Sequence, residues 1–416
     1  MAERLQVPRG TYDVLPPDAD ARAALETTAR RILEGAGYRR IETPTFEQTE
    51  VFARGVGAST DIVQKEMYTF DDGGGRSVTL RPEGTAPICR AYAEHGMHKL
   101  PQPVKLWYLS SFFRSEKPQQ GRFRQFWQIG AEAIGSDDPA VDAELIVLLA
   151  TLLSELEVGG VRLRVGSLGT LAARQAYREQ LQAYLRANAG ELSEDVRSRI
   201  DLNPLRAFDS EHPGTRAVMA GAPRLLDHLD SADAEHFATV RELLLRAGVE
   251  HEVDPTLVRG LDYYTRTVFE CTSDALGAQS GVAGGGRYDG LVEMLGGPAT
   301  PGCGWAAGIE RILLASGGLP VAPPLVDLYV GLASAQQRGV AFAIVDEARR
   351  ARLNAQVELA GRSRKGQLKH ADRIGARYVA IVGDETTVLR DMHANDEIEI
   401  DAVGVVARIL RGRGMP

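Results

Sequence analysis

Cysteine is scarce in this 416-residue chain: Cys89, Cys271 and Cys303 are widely spaced and odd in number. That excludes a disulfide framework and a CxxC zinc site, and leaves packed thiols as the expectation. Eight scattered histidines without an HExxH pair argue against a protein-held metal. Long apolar runs are missing as well. The longest, Leu145 to Leu153, is far too short for a bilayer, and the opening MAERLQVPRG lacks the apolar core of a secretory signal. A cytoplasmic protein without membrane attachment is expected. Basic charge is in deficit, with 48 Lys and Arg against 56 Asp and Glu and a formal net charge of −8. Net charge is a global quantity, and local basic surfaces still bind phosphates, so a nucleic-acid partner is not excluded. No GxGxxG lies in a βαβ unit, which excludes a dinucleotide fold of that kind.

What is present suffices for two or three domains, since 44% of the residues are hydrophobic. The densest chemistry runs from Phe113 to Glu132, FRSEKPQQGRFRQFWQIGAE. Apolar, aromatic-rich runs, Leu106–Phe113 and Phe123–Ile129, flank a polar turn containing Pro118 and Gly121, the pattern of a long-looped antiparallel hairpin. Arg114 and Glu116 leave one face of the first strand, and Arg124, Phe126, Gln128 and Glu132 repeat at period two on the return strand. An arginine fork holds phosphate, an aromatic face stacks on a base, and a nearby carboxylate accepts from an exocyclic amine. Together they describe an ATP site, whereas an isolated F-R-x-E would read as an exposed hairpin with solvated charges.

Other stretches add to this. A helix is expected over Asp18–Glu34, stopped by Gly35 and Gly37, then a short strand ended by Pro44. A glycine hairpin turn at Gly73–Gly75 leads through a strand to Glu83-Gly84-Thr85, where Thr85 reads as the N-cap of a helix or, with Glu83, as an acceptor for an ammonium group. An apolar helix over Ala140–Leu156 and a strand over Val161–Val165 precede a mostly helical region, Leu171 to about Arg246. Strands return at Leu257–Thr272, while GGGRYDG reads as a flexible turn or a close backbone approach to a small ligand. GCGWAAGIERILL leads from a strand into a helix carrying Glu310 and Arg311. Glycines and prolines in Ser316–Leu325 mark a linker, beyond which strands and helices alternate as a small α/β domain with a mainly parallel sheet. Its basic segment gathers Arg362, Arg364, Lys365, Lys369 and His370, a solvated face or a phosphate-backbone contact.

Read together, KPQQGRFRQF, the segment Arg81-Pro82-Glu83-Gly84-Thr85, the run Leu-Val-Arg-Gly-Leu-Asp-Tyr-Tyr ending at Tyr264, and GIERILL resemble the signature motifs of class II aminoacyl-tRNA synthetases, and of the histidyl-tRNA synthetase family in particular. The resemblance implies an α+β fold: a class II antiparallel-sheet catalytic domain over 1–320 with a helical insertion at about 170–246, then an α/β anticodon-binding domain over 325–416. It implies ATP, L-histidine and tRNA(His) as substrates, Mg2+ carried with ATP, and a homodimer formed through the first motif. By resemblance Arg114 and Arg259 serve the α-phosphate as catalytic groups. Glu116 and Phe126 hold adenine, and Arg122 and Arg311 the outer phosphates. Glu83, Gly84, Thr85, Gln128, Glu132, Tyr263 and Tyr264 hold histidine, with Glu132 and Tyr264 on the imidazole. Ala306 stands where the generic third motif has glycine, and Lys117 and Trp127 also depart from the family pattern. The competing resemblance is to catalytically silent relatives that act as histidine-sensing regulatory subunits of ATP phosphoribosyltransferase. Those usually lack the C-terminal domain and degrade the Arg259 motif, and this chain keeps both.

Overall fold

The computed structural model describes residues 4–57, 60–277, 280–319 and 325–412. Two compact units divide the chain at 320/321, and residues 320–324 of the expected linker lie outside the described residues.

In the first unit α1 (Pro16–Gly35) begins on two prolines, whose missing N–H groups cost nothing in a first turn, and buries Leu25, Ala29 and Leu33 at helical spacing. The strand expected before Pro44 shrinks to β1 (Arg39–Arg40). Beyond Pro44, β2 (Phe46–Gln48) joins a different, three-stranded sheet, followed by α2 (Thr49–Gly55), β3 (Tyr68–Asp71) and β4 (Ser77–Leu80). The glycine turn between β3 and β4 is held by Asp72, whose Oδ1 accepts from the amides of Gly74 and Arg76 at 3.0 Å each. Thr85 does not cap α3 (Thr85–Glu94). It is the first helical residue behind Gly84, and Glu83 takes the capping role by accepting from the amides of Thr85 (2.8 Å) and Ala86 (2.9 Å).

The expected hairpin is formed by β5 (Val104–Phe113) and β6 (Gln125–Ile134), in register from Phe113 opposite Gln125 to Val104 opposite Ile134. Its return strand starts two residues later than expected, because the Arg124 amide bonds outside the hairpin to the carbonyl of Gly10 (2.8 Å). Next come α4 (Pro139–Glu155), capped by Asp138, β7 (Val161–Ser167), α5 (Leu171–Ala187), α6 (Glu194–Arg199), α7 (Pro213–Ala220), α8 (Ser231–Arg246) and β8 (Glu252–Val253). The unit ends with β9 (Thr265–Ser273), β10 (Gly281–Arg287), α9 (Leu291–Met294), β11 (Gly302–Gly308) and α10 (Ile309–Ala315).

Among the described residues an eight-stranded sheet runs β1-β5-β6-β11-β10-β9-β7-β8, antiparallel except where β1 meets β5 and β8 meets β7. Alternation along β5 sends Trp107 to one core and Leu106 and Tyr108 to another. The first core packs α1, α4, α8 and α10 around Leu145, Leu149, Phe237 and Val240. Each such fully buried leucine is worth about 2 kcal/mol. The second takes α3 and, from the helical region, Tyr177, Leu181 and Leu185 of α5 and Val218 of α7. The helical region is thus divided, its last helix belonging to the main core. Cys89, Cys271 and Cys303 are free and buried.

Two expectations fail locally. Residues 257–264 are loop, and the strand starts only at Thr265, because Arg174 of α5 captures the carbonyls of Asp262 (2.9 Å) and Tyr264 (2.8 Å) that a ladder would have used. The triple glycine is no turn but lies within β10, where a Cβ on Gly285 would stand 2.2 Å from the Gly304 carbonyl oxygen.

The second unit contains β12 (Val326–Leu332), α11 (Arg338–Arg350), β13 (Ala355–Val357), α12 (Arg364–Arg373), β14 (Ala376–Val382), β15 (Thr387–Asp391), β16 (Asp396–Ile400) and α13 (Val405–Gly412). Its sheet runs β13-β12-β14-β15-β16. The first three strands are parallel, but β15 runs antiparallel to both β14 and β16, so the sheet is mixed rather than mainly parallel. No helix among the described residues is long and apolar enough to cross a membrane.

Candidate active site

Two connected chambers open on the face of the main sheet formed by β6, β11, β10 and β9. The outer cleft, about 400 Å³, is walled by Arg114, Glu116, Arg122, Phe126, Gln128, Arg259, Glu270, Glu310 and Arg311. The inner chamber, about 160 Å³, is lined by Glu83, Gly84, Thr85, Tyr108, Tyr263, Tyr264 and Tyr288. Arg114, Gln128, Arg259, Gly284 and Ala306 line both.

Cations dominate the outer cleft. The guanidinium of Arg114 lies 5.3 Å from the Phe126 ring centre and donates through Nε to the Pro82 carbonyl (2.9 Å). Arg122 is ion-paired with Glu116, and Arg311 donates to the carbonyl of Gly281. Burial and the like charge of Arg122 depress the pKa of Arg311, the electrostatic mark of cations crowded for an anion. Arg124, by contrast, turns away and bonds the carbonyls of Glu116 (3.2 Å) and Arg9 (3.4 Å).

Arg259 sits at the junction. Its guanidinium lies flat against β10, where a Cβ on Gly284 would come 2.2 Å from Nη2, so only glycine leaves it room. Burial opposes its charge, but Tyr264 and Glu270 overcome that and raise its pKa. Nη1 donates to Glu270 Oε1 (3.0 Å), the other oxygen of Glu270 accepts from Arg164 (2.5 Å), and Arg164 reaches Asp254 (2.9 Å). This chain of alternating charges, together with Glu310, escaped the sequence reading. Strand alternation alone could have pointed to Glu270, which shares a row with Arg164 and Gly284.

The inner chamber is polar and buried. Glu132, expected on the ligand, stands behind the wall. Its oxygens accept from the hydroxyls of Thr85 (2.8 Å) and Tyr288 (2.7 Å). Burial raises its pKa to about 8 against those two hydrogen bonds. Glu83 is also raised by burial, partly offset by its backbone donors, and accepts a long bond from the Tyr263 hydroxyl (3.4 Å). The Tyr263 and Tyr264 rings meet with centroids 4.8 Å apart and planes inclined at 54°. Four atoms on residues of the chamber wall, Gln128 Oε1, Tyr108 Oη, Arg259 Nε and Trp305 Nε1, are buried without a hydrogen-bond partner among the described residues. Each costs about 1 to 3 kcal/mol unless a polar ligand satisfies it. Tyr108 and Tyr288 were missed by the sequence reading because tyrosines in a core strand and a loop carry no motif.

The family model described as Histidyl-tRNA synthetase matches residues 10–312. The chain belongs to the histidyl-tRNA synthetase family. A histidine–tRNA ligase of Halorhodospira halophila is 49% identical over 94% of both chains. The crystal structure of apo S. aureus histidyl-tRNA synthetase is similar at a TM-score of 0.81 and 34% identity, with 98% of this chain and 100% of that one covered. A Bacillus halodurans structure titled as an ATP phosphoribosyltransferase regulatory subunit/histidyl-tRNA synthetase shares the fold, at a TM-score of 0.67 and 23% identity over 92% and 100% of the two chains. The α+β class II fold, with its large antiparallel sheet and separate C-terminal sheet, agrees with this membership.

Proposed function

We propose that this chain, as an ATP-dependent histidine–tRNA ligase, activates L-histidine to histidyl-adenylate in the two chambers and then transfers the histidyl group to the 3′ end of tRNA(His). The observation that carries the site assignment is the set of partnerless polar atoms on the inner wall, directly behind a cleft crowded with arginines. In the first step a histidine carboxylate oxygen bonds to the α-phosphorus of ATP. The bond from that phosphorus to the bridging oxygen breaks, and pyrophosphate leaves with the electron pair. Positioning and fixed positive charge dominate such a reaction. Arg114 and Arg259 take the α-phosphate, Arg122 and Arg311 the departing phosphates, and Phe126 with Glu116 the adenine. The Glu116–Arg122 pair opens as ATP enters, since each has a better partner in the nucleotide.

Histidine lies in the inner chamber. Glu83, Thr85 and Gln128 receive its ammonium group, beside the Gly84 backbone, and Tyr263 supports Glu83. The imidazole lies beside Tyr264, and its ring N–H reaches Glu132 only once the Thr85 hydroxyl turns away from that carboxylate; an analogue without ring nitrogens leaves buried polar groups unpaired, which costs up to about 10⁴ in favourable cases. Magnesium enters with the ATP phosphates as part of the substrate. The cleft carboxylates are already committed to cations, Glu116 to Arg122, Glu270 to Arg164 and Arg259, and Glu310 to Arg22. The reading extends to residues 1–320 as the catalytic domain, its helical region as a tRNA acceptor contact, the C-terminal unit as the anticodon-binding domain, a cytoplasmic location, and a homodimer through the first motif, the helix at 18–34 with the strand ended by Pro44. The regulatory-subunit reading has less support, since the 49% identical full-length relative is a ligase.

The test is histidine-dependent exchange of labelled pyrophosphate into ATP with magnesium, repeated with each other amino acid. Exchange with histidine alone supports the reading, and histidine binding without exchange favours the regulatory alternative.

A further inference from the structure

The N-terminal segment 8–13 crosses the loop that joins β5 to β6, and hydrogen bonds, close backbone packing and a ring contact hold it there. The Gly10 carbonyl accepts from the Arg124 amide (2.8 Å), and the Arg9 carbonyl from Arg124 Nη1 (3.4 Å). Gly10 has φ +88°, and a Cβ there would stand 2.8 Å from Pro118 Cγ and 2.9 Å from Arg124, so backbone lies directly on the loop. The Tyr12 ring then packs on Phe123 with centroids 4.4 Å apart and planes inclined at 44°. Finally the Tyr12 hydroxyl donates to Glu310 Oε1 (2.7 Å).

Glu310 is where these ties converge. The carboxylate, almost fully buried, also accepts from Arg22 of α1 (2.8 Å) and from the Trp127 amide of β6 (3.1 Å to each oxygen). Its charge is therefore matched by Arg22, while the adjacent Arg311 faces the cleft. Burial and the Glu310 charge push the Tyr12 phenol far up, which keeps it a neutral donor across the physiological range. On the cleft side, Gly121, Arg122 and Phe123 form wall, and a Cβ on Gly121 would lie 3.8 Å from Arg311 Cγ. Segment, loop and the start of α10 form one packed stack with the cleft on its inner side. In a loop with Pro118 and Gly121 and no regular structure between Arg114 and Arg124, this stack acts with the loop's own turn, the Ser115 amide on the Glu66 carbonyl (2.7 Å) and the Glu116–Arg122 ion pair to fix where Arg122 stands.

We propose that residues 8–13 form a strap that sets the triphosphate end of the outer cleft, with Tyr12 and Glu310 as positioning residues that act through Phe123, Arg122 and Arg311. The proposal rests on the reading of the outer cleft as the ATP site. Since the strap's contacts are with the outer cleft's loop, Glu310 and Arg22 and with no residue lining the inner chamber, its loss weakens ATP use and leaves that chamber unchanged.

The experiment measures pyrophosphate exchange and equilibrium histidine binding in the full chain. Tyr12→Ala and Gly10→Ala are expected to raise KM for ATP roughly tenfold, as loss of a charge-assisted contact does, with the Kd for histidine within about twofold of wild type. Tyr12→Phe keeps the ring on Phe123 and loses only the hydroxyl's bonds to Glu310 and Arg22, so it falls between wild type and Tyr12→Ala and serves where the alanine variant fails to fold. A KM for ATP within about twofold of wild type in all three variants overturns the proposal, as does an equal change in both substrates' constants. If Arg311→Ala and Arg114→Ala also leave the KM for ATP unchanged, the ATP-site reading itself has failed, and not the strap alone.

Discussion

Replacing Arg259 by alanine separates catalysis from folding in a way the charge chain around it makes quantitative. In the folded protein the Arg259 side chain is about four-fifths buried and paired with Glu270 at 3.0 Å. Deleting a buried cation ordinarily leaves an uncompensated carboxylate and costs about 3 to 5 kcal/mol. Here Glu270 keeps Arg164 at 2.5 Å, and Arg164 in turn is held by Asp254 at 2.9 Å. The loss in stability should therefore be nearer that of one hydrogen bond to a charged group, about 1.5 to 3 kcal/mol. The loss in rate is larger. A fixed donor aimed at the charge developing on the α-phosphate is worth about 3 to 4 kcal/mol, or roughly 10² to 10³ in the rate of adenylate formation. Pyrophosphate exchange reads that rate, and equilibrium dialysis with labelled histidine reads the inner chamber separately. The expected result is exchange lowered by two to three orders of magnitude, with histidine binding kept and only a modest fall in Tm. Exchange within about threefold of wild type in a folded protein would remove Arg259 from the mechanism.

Three further outcomes follow from the same geometry. Gly284→Ala should lower exchange about as much as Arg259→Ala, because the new methyl displaces the guanidinium, and circular dichroism should show the fold intact; normal exchange would mean that Arg259 works from elsewhere. Glu132, raised to about 8, is largely protonated at pH 7, and a ring N–H requires the carboxylate. Histidine binding should therefore strengthen by about fivefold as pH rises from 7 to 8, and by up to about tenfold before it levels above pH 9, whereas Glu132→Gln should be flat over that range. Parallel profiles for the two proteins would refute the assignment. Arg287→Met should lower stability by about 3 to 5 kcal/mol in denaturant unfolding, because fully buried Asp142 loses its 2.6 Å partner and keeps only His236 at 2.8 Å; an unchanged midpoint would show that the network contributes nothing.

The hairpin, α1, the glycine turn before β4 and the helix after Glu83 were legible because each is written in contiguous residues: alternation, helical spacing, and turn or breaker residues at the ends. The same holds for the candidate site as a set of motifs. Phe126, Gln128 and Glu132 fall on one row because β6 has period two, and Arg311 follows the strand-to-helix step of β11 into α10. The loop at 257–264 misled because its β-branched and aromatic residues suit a strand, and only the tertiary contact with Arg174 takes its carbonyls out of the ladder. Likewise, glycines at 284–286 read as a turn until β9 and β11 are seen on either side of them.

By itself, then, the sequence determined the family, the reaction class and most of the charged and polar residues that line the two chambers, since recognition of phosphate, adenine and imidazole demands particular side chains at local spacings. Tertiary structure alone decided how those residues are held. Arg259 is aligned by Glu270 and by the absence of a side chain at 284, and Glu132 is withdrawn behind Thr85 and Tyr288. The Arg122 loop is fastened by Tyr12 and Glu310, 298 residues apart. Asp142 is bound to Arg287 across 145 residues and to His236 across 94. Hydrogen bonds and ion pairs act over about 3 Å irrespective of separation along the chain, so no local pattern announces them.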